Sequence, residues 1–352
     1  MAAKLRLGIL TSGGDCAGLN AAIRAVVCRA IRTYGWQVIG IRDGSLGLLN
    51  RPLDYEEFDL RLFSGSILRM GGTLLGTTNR GDPFSYPMPD GGKADKSQDF
   101  IEGYRQLGLD ALVVIGGDGS MRIMHRLCRQ GGIPMVGIPK TIDNDVAGTD
   151  AAIGFSTAVN VAVDALDRLQ PTAASHHRIM ILEVMGRDAG HIALHAGIAG
   201  GADVILLPEI SYTLSGVVDK LGEVMAGGRN HALVVVAEGV RNAAGEKQSG
   251  IGHWLGGQVG PRFKAETRVT VLGHVQRGGV PSPRDRIVAS AFGVRAVDMV
   301  AEGRFDRMVA WRGGELAEVP LDDVVGINRG IDPAGALVAT ARSLGIYLGE
   351  TG

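Results

Sequence analysis

A chain of 352 residues, 45% hydrophobic and 21% charged, is long enough for two packed domains and has the balance of a globular protein. Its formal net charge of −1 supplies no overall field for nucleic acid or an anionic membrane. No apolar run approaches the ~20 residues that a spanning helix needs. Cys16, Cys28 and Cys128 lack metal-ligand spacing and are too few for a disulfide framework, and no signal pattern precedes the first strand, so a cytoplasmic enzyme is expected.

In chain order, Leu5 to Leu10 reads as a strand ending in Thr11-Ser12-Gly13-Gly14-Asp15. Leu19 to Arg32 follows, with Leu19, Ile23, Val26, Val27 and Ala30 on one helical face. Strand, glycine turn and helix in succession form a candidate phosphate cradle. Glycines let backbone N–H groups approach an anion, and the helix N-terminus adds positive potential. Val38 to Ile41 is a further strand. Gly71 to Gly81 is a glycine-rich loop carrying hydroxyls and Arg80, and Asp82 to Lys96 reads as an exposed excursion rich in Pro, Gly and Asp. Phe100 to Leu107 is helical.

Ala111 to Ile115 reads as a buried strand, followed by Gly116-Gly117-Asp118-Gly119-Ser120 and a helix from Met121 to Arg129. A carboxylate inside such a turn repels a phosphate unless Mg²⁺ lies between them. The next strand, Pro134 to Ile138, runs into Pro139-Lys140-Thr141-Ile142-Asp143-Asn144-Asp145. Two consecutive strand ends therefore supply three carboxylates, a lysine and a hydroxyl, at the place where open α/β sheets bind ligands.

The second half continues the alternation: helix Ala158 to Leu169, strand Arg178 to Val184, helix Ile192 to Ala199, strand Val204 to Leu207. Helix Val217 to Met225, strand Ala232 to Ala237, helix Gln258 to Lys264 and strand Arg268 to Leu272 come next, with helices Arg286 to Ala301 and Pro333 to Leu344 at the end. Such repetition predicts parallel sheets with right-handed crossovers. Arg178, Arg187, Glu238, Arg268, His274 and Arg277 all fall at or near strand ends. Arginines in that pattern suit a phosphorylated substrate, which the guanidinium fork binds bidentately, and a glutamate among them suits a sugar hydroxyl.

Thr11 to Asp15 with Gly18-Leu19-Asn20-Ala21, Gly116 to Ser120, Pro139 to Asp145, Met185-Gly186-Arg187 and Gly273 to Gly279 together resemble the 6-phosphofructokinase family, in order and spacing, over residues 5 to 300. The resemblance implies phosphoryl transfer from ATP to the 1-hydroxyl of fructose 6-phosphate, with Mg²⁺. It implies an α/β fold of two Rossmann-like domains with mainly parallel sheets and the active site in the cleft between them. The donor domain would span residues 1–154 plus 276–326, and the sugar-phosphate domain 155–275 plus 327–352. A homotetramer is implied, with a dimer as the alternative, and no nucleic-acid or membrane partner. Asp143 would be the general base, with Thr141, Gly14 and Arg187 as its catalytic companions. Asp118 and Asp145 would hold the metal, and Gly14, Arg80, Gly117, Asp118, Gly119 and Ser120 the nucleotide. Thr141, Ile142, Met185, Gly186, Arg187, Glu238, His274, Val275, Gln276 and Arg277 would meet the sugar phosphate, with Arg178 and Arg268 reaching it from an adjacent subunit.

Two positions bear on the donor. Lys140 stands where the best-studied bacterial ATP enzymes have glycine and the pyrophosphate-using branch has lysine. Gly119 stands where pyrophosphate users carry an aspartate that would occupy the place of the ATP α-phosphate. The expectation is ATP; pyrophosphate is the alternative donor, and a non-catalytic sugar-phosphate or nucleotide-binding protein the remote one. Cys28 and Asp203 replace an arginine and a glutamate of the family's bacterial effector site, where Arg24 is retained.

Overall fold

The computed structural model describes residues 4–79 and 81–350; the expected nucleotide contact Arg80 lies outside the described residues. The chain forms two compact units. The first comprises Met1–Thr141, Val146–Gly154 and Arg277–Asn328, and the second Ile142–Asp145, Phe155–Gln276 and Arg329–Gly352.

The first unit opens with β1 (Arg6–Thr11), α1 (Leu19–Tyr34), β2 (Gln37–Ile41), the short α2 (Leu46–Leu49) and β3 (Tyr55–Glu57). A small hairpin, β4 (Tyr86–Pro87) with β5 (Lys93–Ala94), lies in the excursion, before α3 (Ser97–Gln106). Then come β6 (Ala111–Gly116), α4 (Asp118–Gly131), β7 (Met135–Thr141) and β8 (Ile153–Gly154). The second unit supplies α5 (Phe155–His176), β9 (Ile179–Val184), α6 (His191–Ala199), β10 (Val204–Leu206), α7 (Leu214–Ala226), β11 (Ala232–Ala237), α8 (Ile251–Val259) and β12 (Thr267–Val271). The chain returns to the first unit with α9 (Pro283–Ala301), β13 (Arg307–Arg312) and β14 (Glu315–Pro320), and α10 (Ala336–Ser343) belongs to the second.

In the first unit the sheet runs β14-β13-β7-β6-β1-β2-β3, with β8 beside β7. The interior pairs are parallel, and β3 and β14 are antiparallel edges. Leu112, Val113 and Val114 of β6 and Leu7, Ile9 and Leu10 of β1 are fully buried, as strands covered on both faces must be. The strand order reverses at β1, which pairs with β2 on one side and β6 on the other. The β1/β6 crevice is therefore a topological switch point, and the loops after both strands open there. In the second unit the order is β10-β11-β9-β12, all parallel, and the order reverses across β9.

The strand–helix alternation matches the sequence reading, with three local corrections. The helix expected over Gln258 to Lys264 is instead α8, which starts seven residues earlier, at Ile251, and only a 3-10 turn, Gly260–Arg262, follows it. Three glycines hid α8 from a propensity argument. Two of them let it sit close to the sheet: a Cβ on Gly256 would stand 2.9 Å from the Val269 side chain, and one on Gly252 3.0 Å from Glu183. The hairpin β13–β14 was not anticipated, although Gly313 (φ 57) and Gly314 (φ 92) supply the turn that a two-residue hairpin needs. Finally, α4 starts at Asp118, three residues before the expected Met121. Asp118, Gly119 and Ser120 form its first turn, not the preceding loop.

Candidate active site

In the first unit, the loop after β1 is held by donors on three successive carbonyls. Thr77 Oγ1 donates to Gly13 O at 2.7 Å, Lys140 Nζ to Gly14 O, and Arg277 Nη1 to Asp15 O at 3.1 Å. Gly13 N in turn donates to Thr78 O at 2.9 Å, which ties this loop to the Gly71–Gly81 loop. Across a trans peptide the C=O and the following N–H point to opposite sides. The N–H groups of Gly14, Asp15 and Cys16 are thereby turned away from those donors, in the manner of an anion cradle. Gly13 has φ 85, and a Cβ there would meet Ser120 Oγ at 2.8 Å; a Cβ on Gly14 would meet Arg277 Nη1 at 2.5 Å. Gly13 holds a left-handed φ, Gly14 lies under the flexible end of Arg277, and Ser120 and Gly13 lie side by side. Asn20 was quoted only as a motif member. It is 1% exposed and staples the glycine-rich loop, donating to Met70 O and Gly71 O and accepting from Leu74 N.

Asp118 caps the same site from the first turn of α4, where a carboxylate is favoured by the helix dipole. Its Oδ1 accepts the Gly326 N–H at 2.7 Å, a partner that nothing in the sequence announced. Gly117 is tightly placed, its would-be Cβ 3.2 Å from Lys140 O. Gly119 is exposed and has open space around it. Lys140 is 3% exposed in β7, and its ammonium donates to the backbone of the β1 loop. Cys16, in the same loop, is inert by burial, which pushes its thiol up to about 12.

The loop Ile142–Asp145 belongs to the second unit. Ile142 and Asp143 are buried and Asp145 half-buried, and Asn144 adopts a left-handed φ of 53°. Arg329 N donates to Asp145 O at 2.8 Å, and Arg329 Nη2 to Asn144 O at 3.1 Å.

The remaining candidates lie on or beside three adjacent strands of that unit, β11, β9 and β12, most of them after the strand and Arg178 and Arg268 at its start. After β9, Met185 and Gly186 are buried while Arg187 is exposed with φ 53°. Glu238, after β11, accepts Gly186 N at 3.2 Å and Arg187 N at 2.9 Å on one oxygen, Oε1. A Cβ on the next residue, Gly239, would run into the Arg187 carbonyl. After β12, His274 and Val275 are exposed. Gln276 was expected beside the sugar, and here the reading is corrected: it is 1% exposed, accepts Met185 N at 2.7 Å and donates to Ala158 O at 3.4 Å. Its amide braces the β9 loop. Arg178, half-buried, and Arg268, exposed, both pair with Glu266, the former at 2.7 Å. Asp203, from the expected effector position, is forked by Arg229 at 2.6 and 3.1 Å, and Arg24 Nε donates to Phe63 O.

His191 and His195 on α6 were not anticipated. His191 Nε2 donates to Arg329 O at 2.9 Å, and His195 Nδ1 to His191 O at 2.8 Å. Burial pulls the His191 ring from 6.5 to about 4 and lowers His195 as well. A histidine kept neutral in the fold but protonated in the unfolded chain stabilises the fold only above its unfolded value. Stability is therefore expected to decline as pH falls from 6.5 toward 4, by up to about 3 kcal/mol from this residue. Urea unfolding at several pH values, compared with His191→Gln, checks this; an unchanged slope in the variant rules His191 out as the cause.

The chain matches the family described as Phosphofructokinase over residues 6–300. A Synechocystis protein named ATP-dependent 6-phosphofructokinase 1 is 55% identical, over 98% of this chain and 98% of its own. A Nostoc protein of the same name is 54% identical, over 99% of this chain and 100% of its own. Among solved structures, phosphofructokinase from Saccharomyces cerevisiae is similar with a TM-score of 0.79 at 31% identity, covering 91% of this chain and 45% of the yeast chain.

Proposed function

Since the chain belongs to the phosphofructokinase family, we propose that it is an ATP-dependent 6-phosphofructokinase, carrying the γ-phosphoryl of ATP to the 1-hydroxyl of fructose 6-phosphate in glycolysis. The observation that carries the reading is the match, over nearly the whole chain, to relatives bearing that name. Pyrophosphate as donor is not favoured. Coupled assays with ATP and with pyrophosphate, side by side, test the proposal; turnover with pyrophosphate alone overturns it.

We assign the donor phosphates to the first unit, to Gly14 in the loop after β1, Gly117 before α4, and Gly119 and Ser120 in the first turn of α4. Mg²⁺ fits the donor set. Asp118 offers a hard oxygen ligand, and one of its two oxygens is taken by Gly326. Among the described residues no cluster of three or more His, Cys, Asp or Glu could encage a metal. An ion held by one or two carboxylates, here Asp118, with phosphate and water completing its shell, is the habit of magnesium. When bound, it offsets the like charges of carboxylate and phosphate and the charge that develops on transfer.

The sugar phosphate we assign to the second unit's strand ends, with Met185, Gly186, Glu238 and His274 around it. Asp143 takes the proton of the 1-hydroxyl as that oxygen bonds to the γ-phosphorus and the bond to the ADP oxygen breaks. Arg187, exposed and aimed by the Glu238-held turn, balances charge on the moving group, together with the N–H groups beside Gly14. Thr141 flanks Asp143 on the sugar side. We place the reaction in the cytoplasm.

We further propose a homotetramer in which Arg178 and Arg268 reach the 6-phosphate bound by a neighbouring subunit. Glu266 holds both guanidinium groups together, a pairing that a phosphate can replace. Arg268→Ala is expected to raise the KM for fructose 6-phosphate by more than about tenfold. Mixing Arg268→Ala subunits with Asp143→Asn subunits is expected to restore activity, because some sites then combine two intact halves. Mixed tetramers without recovered activity would refute sharing.

A further inference from the structure

We infer that Arg329 is a positioning residue for Asp143, the inner member of a strut that fixes the Ile142–Asp145 loop; the inference rests on the reading of Asp143 as general base. The loop turns through Asn144 at φ 53°, a left-handed conformation that asparagine visits more readily than most residues and in which neighbouring contacts constrain it. Arg329 supplies that constraint twice. Its backbone N–H holds Asp145 O at 2.8 Å, and its guanidinium holds Asn144 O at 3.1 Å. The two carbonyls belong to the 144–145 and 145–146 peptides, so both bonds fix the turn that leaves Asp143 and, through it, the direction in which Asp143 projects.

Arg329 is itself anchored on regular structure. Its carbonyl accepts from His191 Nε2 at 2.9 Å, at the first residue of α6. Two residues on, Ile331 N donates to Glu209 Oε1 at 2.7 Å, and the same oxygen accepts Gly190 N at 2.9 Å. Glu209 lies three residues past the end of β10. The connection thus runs from β10 and α6, through Glu209 and His191, to Arg329 and the carbonyls beside Asp143. All of these residues lie in one unit. A base is useful only within hydrogen-bond reach of the proton that it takes, and a displacement of about 1 Å can cost about 10²-fold in rate. A side chain that touches neither substrate nor donor therefore controls turnover.

The test uses Arg329→Met, which keeps the stem and the backbone N–H but removes the guanidinium donors. The expected result is a fall in kcat of about 10- to 100-fold, with KM for ATP and for fructose 6-phosphate changed less than about threefold. Arg329→Lys, which can still donate to Asn144 O, is expected to recover part of the loss. The deciding measurement is the cycle with Asp143→Asn. In that background Arg329→Met is expected to cost less than about threefold, because the group that it positions no longer acts. An unchanged kcat in Arg329→Met, or a loss that multiplies fully in the double variant, overturns the inference. Should Arg329→Met fail to fold, His191→Leu, which removes the donor to Arg329 O, is read through the same cycle with the same two outcomes. If Asp143→Asn alone keeps full activity, the reading of Asp143 falls first. If it is inactive while Arg329→Met is normal, only the strut falls.

Discussion

Asp143→Asn is expected to lower kcat by about 10²- to 10⁴-fold while leaving KM for both substrates within a few-fold. The expectation follows from how little else the substitution changes. Asp143 is 5% exposed, in a loop whose two following carbonyls are already bound by Arg329. Asparagine matches aspartate in size and accepts hydrogen bonds at the retained oxygen, so the loop keeps its path. What is lost is the ability to take a proton, which is required only as the sugar oxygen attacks. An interaction used only in the transition state appears in kcat and not in binding. Steady-state assays with saturating ATP give the number, and circular dichroism confirms the fold. A variant within about threefold of wild-type kcat removes Asp143 from the chemistry.

The sequence was most readable where a residue's environment is set by its own segment. Ala111 to Gly116 and Ala232 to Ala237 are apolar throughout because both faces of a parallel strand are covered, so the run itself reveals the strand. The glycines after β1 and β6 stand out because they punctuate strand-to-helix turns, where Gly13 holds a left-handed φ and packs closely against Ser120. Partners set by the tertiary fold were not readable. Asp118 and Gly326 are separated by 208 positions, and Arg329 and Asn144 by 185. No periodicity or propensity carries that information. Gln276 misled for the same reason: a polar residue between two site residues reads as a ligand contact, and only packing shows its amide turned inward onto Met185. Nor did the sequence show that the Lys140 ammonium donates to the Gly14 carbonyl, 126 positions away, in the loop after β1.

That placement sharpens the question of what selects the donor. Gly119→Asp is expected to fold normally and to lose about 10³-fold in kcat/KM for ATP. Position 119 is the second residue of α4, its backbone does not demand glycine, and no atom lies within 4 Å of an added Cβ. An aspartate in a first helical turn is favoured by the helix dipole by about 0.3–1 kcal/mol, so stability is unchanged or slightly raised. Against a nucleotide the effect reverses. A carboxylate about 4 Å from the α-phosphate costs about 4 kcal/mol at an effective dielectric of 20, which is close to three orders of magnitude in kcat/KM. Pyrophosphate has no group at that place and escapes the penalty, so the variant is expected to gain on pyrophosphate relative to ATP. Lys140→Met removes the donor to Gly14 O and loosens the phosphate loop, which costs both donors; its effect on ATP is expected to stay below that of Gly119→Asp. Measuring kcat/KM for both donors in the three proteins, alongside thermal melting, separates binding from folding. If wild type uses pyrophosphate at least tenfold better than ATP, or if Gly119→Asp keeps its ATP activity, the open position at 119 does not select the donor and Lys140 becomes the residue to pursue.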